Sequence, residues 1–243
     1  MKIFLKIVVF LLLFVVFFAL RFPYDTLVER GVRQAETSTG AVILYQPDSA
    51  GPLGVKVKNL DVRLASGATL KFDSARLFPT TDGIHVTAYQ GENEMRADLN
   101  GSDLKVKLDD IEVVTGSDSF GTTRATGDVA YNLNKREGNG SLRLVIPELG
   151  MLPIPLGKVE LGSTFLITNV GTPEAPRAAV SAEIKLLSAD GSSSANGKVA
   201  LEGQPPPGKP LLSGNLRFES PFKRGNILLS GTWDDPAATI TSK

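Results

Sequence analysis

The chain has 243 residues, with 26 basic and 26 acidic side chains, one histidine and no cysteine. The lack of cysteine excludes a disulfide scaffold, a thiolate nucleophile and a Cys-type zinc site. Once Lys2, Lys6 and Arg21 are set aside, 23 basic residues remain against 26 acidic ones, and this balance argues against nucleic acid as a partner.

Residues 1–22 contain a hydrophobic run, from Ile7 to Leu20, that no polar residue interrupts. About 20 residues at a helical rise of about 1.5 Å cover roughly 30 Å, the thickness of a bilayer core. We predict a single-pass anchor whose apolar positions include Ile7, Leu13, Phe17 and Leu20, with the lysine-bearing end retained inside. The alternative is a cleaved secretory signal, but the bulky residues at the end of the run do not suit a signal peptidase.

Residues 23–39 form the predicted juxtamembrane segment. Leu27, Val28 and Val32 are spaced for one face of a helix of about two to three turns, with Asp25 or Thr26 as its N-cap. Aromatic residues at the end of an anchor favour the headgroup level of a membrane. The expected juxtamembrane contacts are Phe22, Tyr24 and Leu27.

Residues 40–243 form one predicted β domain, because apolar and polar residues alternate through most of it. We expect about a dozen strands, antiparallel because each has one apolar and one wet face. Such alternations occur at 55–57, 104–108, 129–133, 142–146, 180–184 and 216–218.

Glycine patterns predict the turns. Asn-Gly pairs begin at Asn100, Asn139 and Asn196, and Asp-Gly pairs at Asp82 and Asp190; both are typical of type I′ hairpins. A glycine, a polar residue and an apolar-any-apolar triplet recur, which suggests that a turn glycine opens many strands. The recurrences begin at Gly127, Gly140, Gly157, Gly197, Gly214 and Gly225. The proline-rich stretches 147–155 and 204–210 cannot be central strands, and the second precedes a hairpin predicted at 211–232.

The sequence contains few residues in arrangements that indicate catalysis or metal binding. His85 alternates with Ile84 and Val86, which predicts a position on the wet face, and no second histidine can support it as a base. The acidic residues Asp109, Asp110 and Glu112, and the pair that follows Trp233, lack the spacing of a calcium loop. No cofactor motif or metal site is predicted, and we expect a protein that is not an enzyme.

The sheet itself is therefore the expected functional element. It can close into a sandwich or barrel, or stay curved and partly open with an apolar groove and free edges. The sequence leaves these alternatives open. The residues expected to line such a groove are Val129, Tyr131, Leu142, Leu144, Leu216 and Phe218.

A resemblance follows from the two ends of the chain. The anchor leads directly into Phe22-Pro23-Tyr24-Asp25, and the β region closes on a strand, Gly231-Thr232 and an Asp-Pro turn. This arrangement resembles the type II secretion system protein N family and, more distantly, the AsmA-like proteins of Gram-negative envelopes. The layout is also similar to that of the anchored component of lipopolysaccharide transport.

The resemblance implies a protein of the cell inner membrane with its C-terminal domain in the periplasm. Its function would be accessory to a type II secretion system, through contact with other secretion-system subunits. The alternative that it implies is an AsmA-like lipid-binding or lipid-transport protein that holds acyl chains in its groove. A surface protein released after signal cleavage is a further alternative.

Overall fold

The computed structural model describes residues 24–51, 54–64, 67–114, 122–147, 158–172, 177–203, 210–232 and 235–242. Within this part of the chain, no helix combines the length and the apolar character that crossing a bilayer requires. The predicted anchor, with Ile7, Leu13, Phe17 and Leu20, lies outside the described residues, as does Phe22.

One helix, α1 (Tyr24–Thr39), precedes the sheet. It has 16 residues and is therefore longer than expected; Asp25 and Thr26, the expected caps, already lie within it. Its C-terminal end is defined by Gly40, whose φ of 68° lies in the left-handed region. The Gly40 N–H donates to the Glu36 carbonyl at 2.8 Å, a glycine C-cap of the left-handed type.

The rest of the described chain is β-structure, as expected, with fourteen strands in place of about a dozen. The strands are β1 (Val42–Gly51), β2 (Gly54–Arg63), β3 (Thr69–Pro79), β4 (Gly83–Gln90), β5 (Asn93–Asn100), β6 (Asp103–Val114), β7 (Thr122–Asn132), β8 (Glu137–Ile146), β9 (Val159–Asn169), β10 (Ala178–Ser188), β11 (Ser194–Glu202), β12 (Leu211–Glu219), β13 (Arg224–Thr232) and β14 (Asp235–Ser242).

The fourteen strands form one sheet in sequence order, and each strand pairs with its chain neighbours in the antiparallel sense. A single additional pairing joins β3 to β6, through Thr69 with Val114 and Leu70 with Val113. Most strands carry side chains of alternating polarity, so one side of the sheet, the apolar face, collects the apolar residues. The other side is called the polar face.

The alternation shifts by one residue in two strands near the N-terminal end, β2 and β6. Val57 and Leu60 of β2 are three residues apart, yet both belong to one apolar cluster; so do Leu108 and Ile111 of β6. Such a spacing would place side chains on opposite faces of a regular strand. Asn59 and Asp110 stand between these pairs, each with a φ of 49°, and a β-bulge lies between Leu108 and Ile111. The bulges return both halves of the strands to the same face.

The β4–β5 hairpin lies between β3 and β6, and the Gln90 side chain at its turn bonds both strands; this side chain is called the wedge. The Gln90 side-chain amide donates to the Lys71 carbonyl at 2.8 Å and to the Glu112 carbonyl at 3.2 Å. Its oxygen accepts the Glu112 N–H at 2.6 Å. These bonds satisfy backbone groups of the two strands where they separate around the hairpin.

Two of the expected turns are wrong. Asn139-Gly140 lies inside β8 and Asn196-Gly197 inside β11. These glycines do not form turns; they allow atoms of the neighbouring strand to approach the backbone closely. A Cβ on Gly140 would come within 2.7 Å of the Phe165 ring, and one on Gly197 within 2.0 Å of the Asn215 carbonyl oxygen. Four of the six repeated glycines, Gly127, Gly140, Gly197 and Gly214, therefore mark tight spots within strands. Gly225 opens β13 as predicted, and Gly157 lies outside the described residues.

The other turn predictions fare better. Asp190-Gly191 lies in the β10–β11 turn, Asp82 ends the β3–β4 turn, and Asn100 ends β5 just before the turn at Gly101. The hairpin predicted at 211–232 is formed by β12 and β13, and the strand β14 follows it. Most of both proline-rich stretches lies outside the described residues.

Candidate functional site

The six residues predicted to line a groove lie on the apolar face. Leu142 is connected to Leu216 by a row of register partners that passes through Ser163, Ile184 and Gly197. In the same way, Gly127 pairs with Leu142, and Val129 and Tyr131 follow Gly127 at alternate positions. Leu144 and Phe218 stand two residues beyond Leu142 and Leu216. Leu216 and Phe218 are buried, and the other four are half-buried.

The N-terminal end of the apolar face is covered by α1. Val28 and Val32 of the helix, with side chains of β1–β4, line a cavity of about 130 Å³. The cover is attached at the helix C-terminus, where the Glu36 carboxylate accepts the Ile43 N–H at 2.8 Å. Of the expected juxtamembrane contacts, Tyr24 and Leu27 lie in α1, and their side chains lie outside the described set.

The C-terminal end of the apolar face holds a second cavity, here called the C-terminal cavity, of about 110 Å³. Ala195, Leu216, Phe218 and Ile227 form a buried cluster beneath it. Its apolar lining comes from Val159, Leu186, Leu187, Ala195, Leu216, Phe218, Ile227, Leu229, Ala238 and Ile240.

The remaining lining of the C-terminal cavity is polar. It consists of Ser188, Ser193, Ser194, Glu219 and Ser220. These residues come from the β10–β11 and β12–β13 hairpins, at the ends where those strands turn. The surface of the cavity is therefore almost entirely apolar, and polar residues lie only at the end formed by the two hairpin turns.

The polar face holds a wider groove of about 830 Å³ that crosses β6 to β11. Its charges are of both signs and partly compensated. Arg143 pairs with Glu160 at 2.7 Å, and Lys198 with Glu183 at 3.4 Å. A groove of mixed charge lacks the single-sign field that steers a strongly charged ligand.

His85 has partners that the sequence analysis did not anticipate. Its Nδ1 bonds the Asp98 carboxylate across the β4–β5 pair, and its Nε2 lies 3.0 Å from the Thr87 hydroxyl. The order hydroxyl, imidazole, carboxylate is that of a nucleophilic triad. Thr87 is only 6% exposed, however, and a nucleophile must reach its substrate, so this arrangement supports the pairing of β4 with β5.

The acidic cluster at 109–112 is held by structural contacts. Asp110 pairs with Arg124 at 2.9 Å, and its backbone carbonyl accepts from the Asn93 side chain at 3.0 Å. Among the described residues, no group of three or more potential ligands could hold a metal ion. Trp233 and Asp234 lie outside the described residues.

Two carboxylates have shifted pKa values. Hydrogen bonds from the Ser188 hydroxyl and from the Ser192 backbone and hydroxyl lower the pKa of Asp190 to about 2. Hydrogen bonds from Lys58 and Lys56 lower the pKa of Asp48. Asp48 lies in β1, far along the sheet from the C-terminal cavity. Asp190 lies in the β10–β11 turn beside that cavity, where it accepts from Ser188 of the polar lining and so stabilises the turn.

Sequence analysis missed two features of this region. Ala238 and Ile240 of β14 line the C-terminal cavity, although their apolar spacing was visible in the sequence as a further short alternation. Phe222, in the β12–β13 turn, is 93% exposed. A phenylalanine between a proline and two cations was the available signal.

The chain matches no family model, no curated protein and no solved structure. The resemblance to the type II secretion system protein N family therefore stays a prediction from the residues that carry it.

Proposed function

We propose that the chain is a non-enzymatic envelope protein, anchored in the inner membrane, whose periplasmic sheet binds the acyl chain of a lipid on its apolar face. The sheet in this proposal is curved and partly open. The observation that carries the proposal is the C-terminal cavity, because its interior is apolar and its one polar end comes from hairpin turns.

The size of the cavity supports an alkyl chain. A cavity of about 150 Å³ lined by apolar side chains stays dry and holds benzene, so about 110 Å³ accommodates a segment of a chain. The rest of the chain would extend along the half-buried apolar face towards Leu142 and Leu144. Each buried methylene contributes about 0.8 kcal/mol.

The polar end suits a lipid headgroup. Ser193 and Ser194 of the lining offer hydroxyl groups, which both donate and accept hydrogen bonds. The Ser188 and Ser220 hydroxyls already donate to Asp190 and to the Lys223 carbonyl, and the Glu219 carboxylate pairs with Arg217. A ligand with one polar end and one apolar chain satisfies both parts of the lining. The ligand class that follows is a phospholipid or a fatty acid.

Filling the cavity tests the proposal. Ala238→Phe places a ring in the C-terminal cavity from β14, whereas Ala237→Phe places the same ring on the polar face of the same strand. Phenylalanine is well accepted in strands, so both variants should fold. Native mass spectrometry should find phospholipid adducts on the wild type and on Ala237→Phe, and few on Ala238→Phe. Equal adducts on the two variants, or none on the wild type, would contradict the proposal.

A separate observation favours a second function, as an accessory subunit of a type II secretion assembly. Within the described residues, β14 pairs with β13 alone, so it offers one free edge of backbone donors and acceptors. Residues 236–242 contain no charged side chain, although natural edge strands are commonly protected by charge. Such an edge suits pairing with a strand of a partner subunit.

Edge blocking tests this second function. Thr239→Lys puts a charge in the middle of β14, and Ser213→Lys puts the same charge on the polar face of β12, which has a strand on either side. Protein purified from native membranes should carry a secretin or an inner-membrane secretion subunit. Thr239→Lys should lose that partner and Ser213→Lys should keep it; a wild type that brings neither subunit would refute the role.

A further inference from the structure

The β12–β13 turn presents a bare aromatic ring. Phe222 is 93% exposed, the highest value among the exposed large hydrophobic residues of the described chain. Exposing nearly all of a phenylalanine side chain forgoes about 1.5–3 kcal/mol of burial. A ring in this position is therefore well placed to bury itself in a partner.

Hydrogen bonds fix the backbone of the turn that carries this ring. The Ser220 N–H donates to the Lys223 carbonyl at 2.9 Å, and the Ser220 hydroxyl donates to the same carbonyl at 2.9 Å. The Lys223 N–H in turn donates to the Ser220 hydroxyl at 3.1 Å. Pro221 restricts the backbone further. The ring is thus presented by a preorganised loop, which reduces the entropy lost on docking.

Cations follow the ring in sequence. Lys223 and Arg224 are both exposed, and neither has an ion-pair partner among the described contacts. The nearby Arg217 is compensated by Glu219 at 3.1 Å. The tip therefore combines one apolar ring with two uncompensated positive charges, which is the composition that binds anionic lipid surfaces.

The same hairpin borders the C-terminal cavity. Glu219 and Ser220, which immediately precede Phe222 and its proline, belong to the polar end of that cavity. A membrane that received Phe222 would therefore face the end where a headgroup enters or leaves. This continuity selects a lipid bilayer over a protein pocket as the occupant.

We infer that residues 220–224 form a docking tip for an anionic membrane, with Phe222 inserted at the headgroup level and Lys223 and Arg224 on lipid phosphates. The inference rests on the proposed acyl-chain function. It adds the surface from which the C-terminal cavity exchanges lipid.

The docking tip and the start of α1 lie at opposite ends of the strands. The β12–β13 turn lies at the same strand ends as Gly40, at the end of α1, because the strands alternate in direction. Val28, near the start of α1, lines a cavity with Pro47, Ser49 and Ala50 towards the other end of β1.

A fluorescent label tests the tip in the full chain. Because the sequence has no cysteine, Phe222→Cys supplies a unique site for an environment-sensitive NBD label. The protein is held in phosphatidylcholine nanodiscs, and vesicles with or without phosphatidylglycerol are added. The label at 222 should brighten with anionic vesicles, while a label on Ala189→Cys, in the neighbouring turn at the same edge, should not.

Charge variants separate docking from general attraction. With the label at 222, Lys223→Gln with Arg224→Gln should weaken binding to anionic vesicles by about 30-fold, since each cation near the surface contributes about 1 kcal/mol. Lys135→Gln with Arg136→Gln removes the same charge from the β7–β8 turn at the opposite edge and should change nothing.

Two results would overturn the inference: a label at 222 that stays silent towards vesicles, or one that responds only to extracted envelope proteins. Lipid adducts are measured on the same samples by native mass spectrometry. Lipid adducts together with an unchanged fluorescence at position 222 would refute the docking tip and leave the acyl-chain function standing. A bright label without adducts supports the tip and refutes the acyl-chain function.

Discussion

The two ends of the sheet use the same alternating sequence pattern but cover their apolar face differently. At the N-terminal end, α1, two bulged strands and the inserted β4–β5 hairpin surround a cluster in which Ala88 and Ile111 are fully buried. At the C-terminal end, β9 to β12 pair in unbroken register, and a cavity remains beside the cluster. Free space remains at both ends, about 130 Å³ beside α1 and about 110 Å³ in the C-terminal cavity. The ends differ in burial: irregular backbone accompanies fully buried side chains at the N-terminal end, whereas regular backbone leaves Leu187 and Ile240 of the C-terminal lining exposed.

The largest expected difference between the two ends concerns two phenylalanines. Phe72 lies in the N-terminal cluster and is 3% exposed, and Phe218 lies beside the C-terminal cavity and is 6% exposed. Each is replaced by alanine. Phe72→Ala should lower the free energy of unfolding by about 3–5 kcal/mol. Phe218→Ala should lower the free energy of unfolding by about 3 kcal/mol or less, because the Phe218 side chain already borders the free space of the C-terminal cavity.

Urea unfolding measures both values, with Phe72→Leu and Phe218→Leu as variants that keep most of the volume. Equal decreases in the free energy of unfolding at positions 72 and 218 would show that the C-terminal cavity does not reduce the stabilisation by the side chains that line it. The comparison between the ends would then fail.

The wedge at the N-terminal end gives the next effect. Gln90→Ala leaves the Glu112 N–H and the Lys71 carbonyl without their side-chain partner, and an unsatisfied group costs about 1–3 kcal/mol when water cannot replace it. Hydrogen exchange of the Glu112 amide should quicken. Gln46→Ala, which removes a single exposed bond to Asn59, should be nearly neutral. An unchanged Glu112 amide would mean that the wedge does not hold β3 and β6.

The smallest effect is the pH dependence of two carboxylates, one at each end of the sheet. Asp190 at the C-terminal end has its pKa lowered from 3.8 to about 2 by serine donors, and Asp48 at the N-terminal end has its pKa lowered by two lysines. A lowered folded pKa stabilises the fold above the unfolded value of 3.8. The stabilisation is lost as the pH falls through the folded pKa. For Asp190 this window runs from about 3.8 down to about 2.

Salt should distinguish the two carboxylates. Ion pairs with lysine are screened, whereas serine donors carry no charge. Thermal unfolding of Asp48→Asn and Asp190→Asn across this window, at low and high salt, measures the effect. The Asp48 contribution should shrink with salt and that of Asp190 should persist. The same salt response in both variants would contradict the assignment.

The alternation in the sequence was sufficient to predict the antiparallel strands and the face of the sheet on which their apolar side chains lie. Leu142 and Leu216 are far apart in the chain, yet a period of two placed both correctly on the apolar face, since alternate side chains in a strand point the same way. The hairpin at 211–232 followed from its flanking turn residues. These features depend on neighbours in the sequence, and local physics determines them.

The tertiary structure decided what local patterns do not contain. Asn139-Gly140 and Asn196-Gly197 have turn composition, but cross-strand crowding makes them strand positions. The wedge of Gln90 and the cover by Val28 and Val32 depend on which strands separate and where α1 lies. The C-terminal cavity likewise needs side chains from six strands, β9 to β14, and a sequence does not determine how closely distant strands fill the space between them.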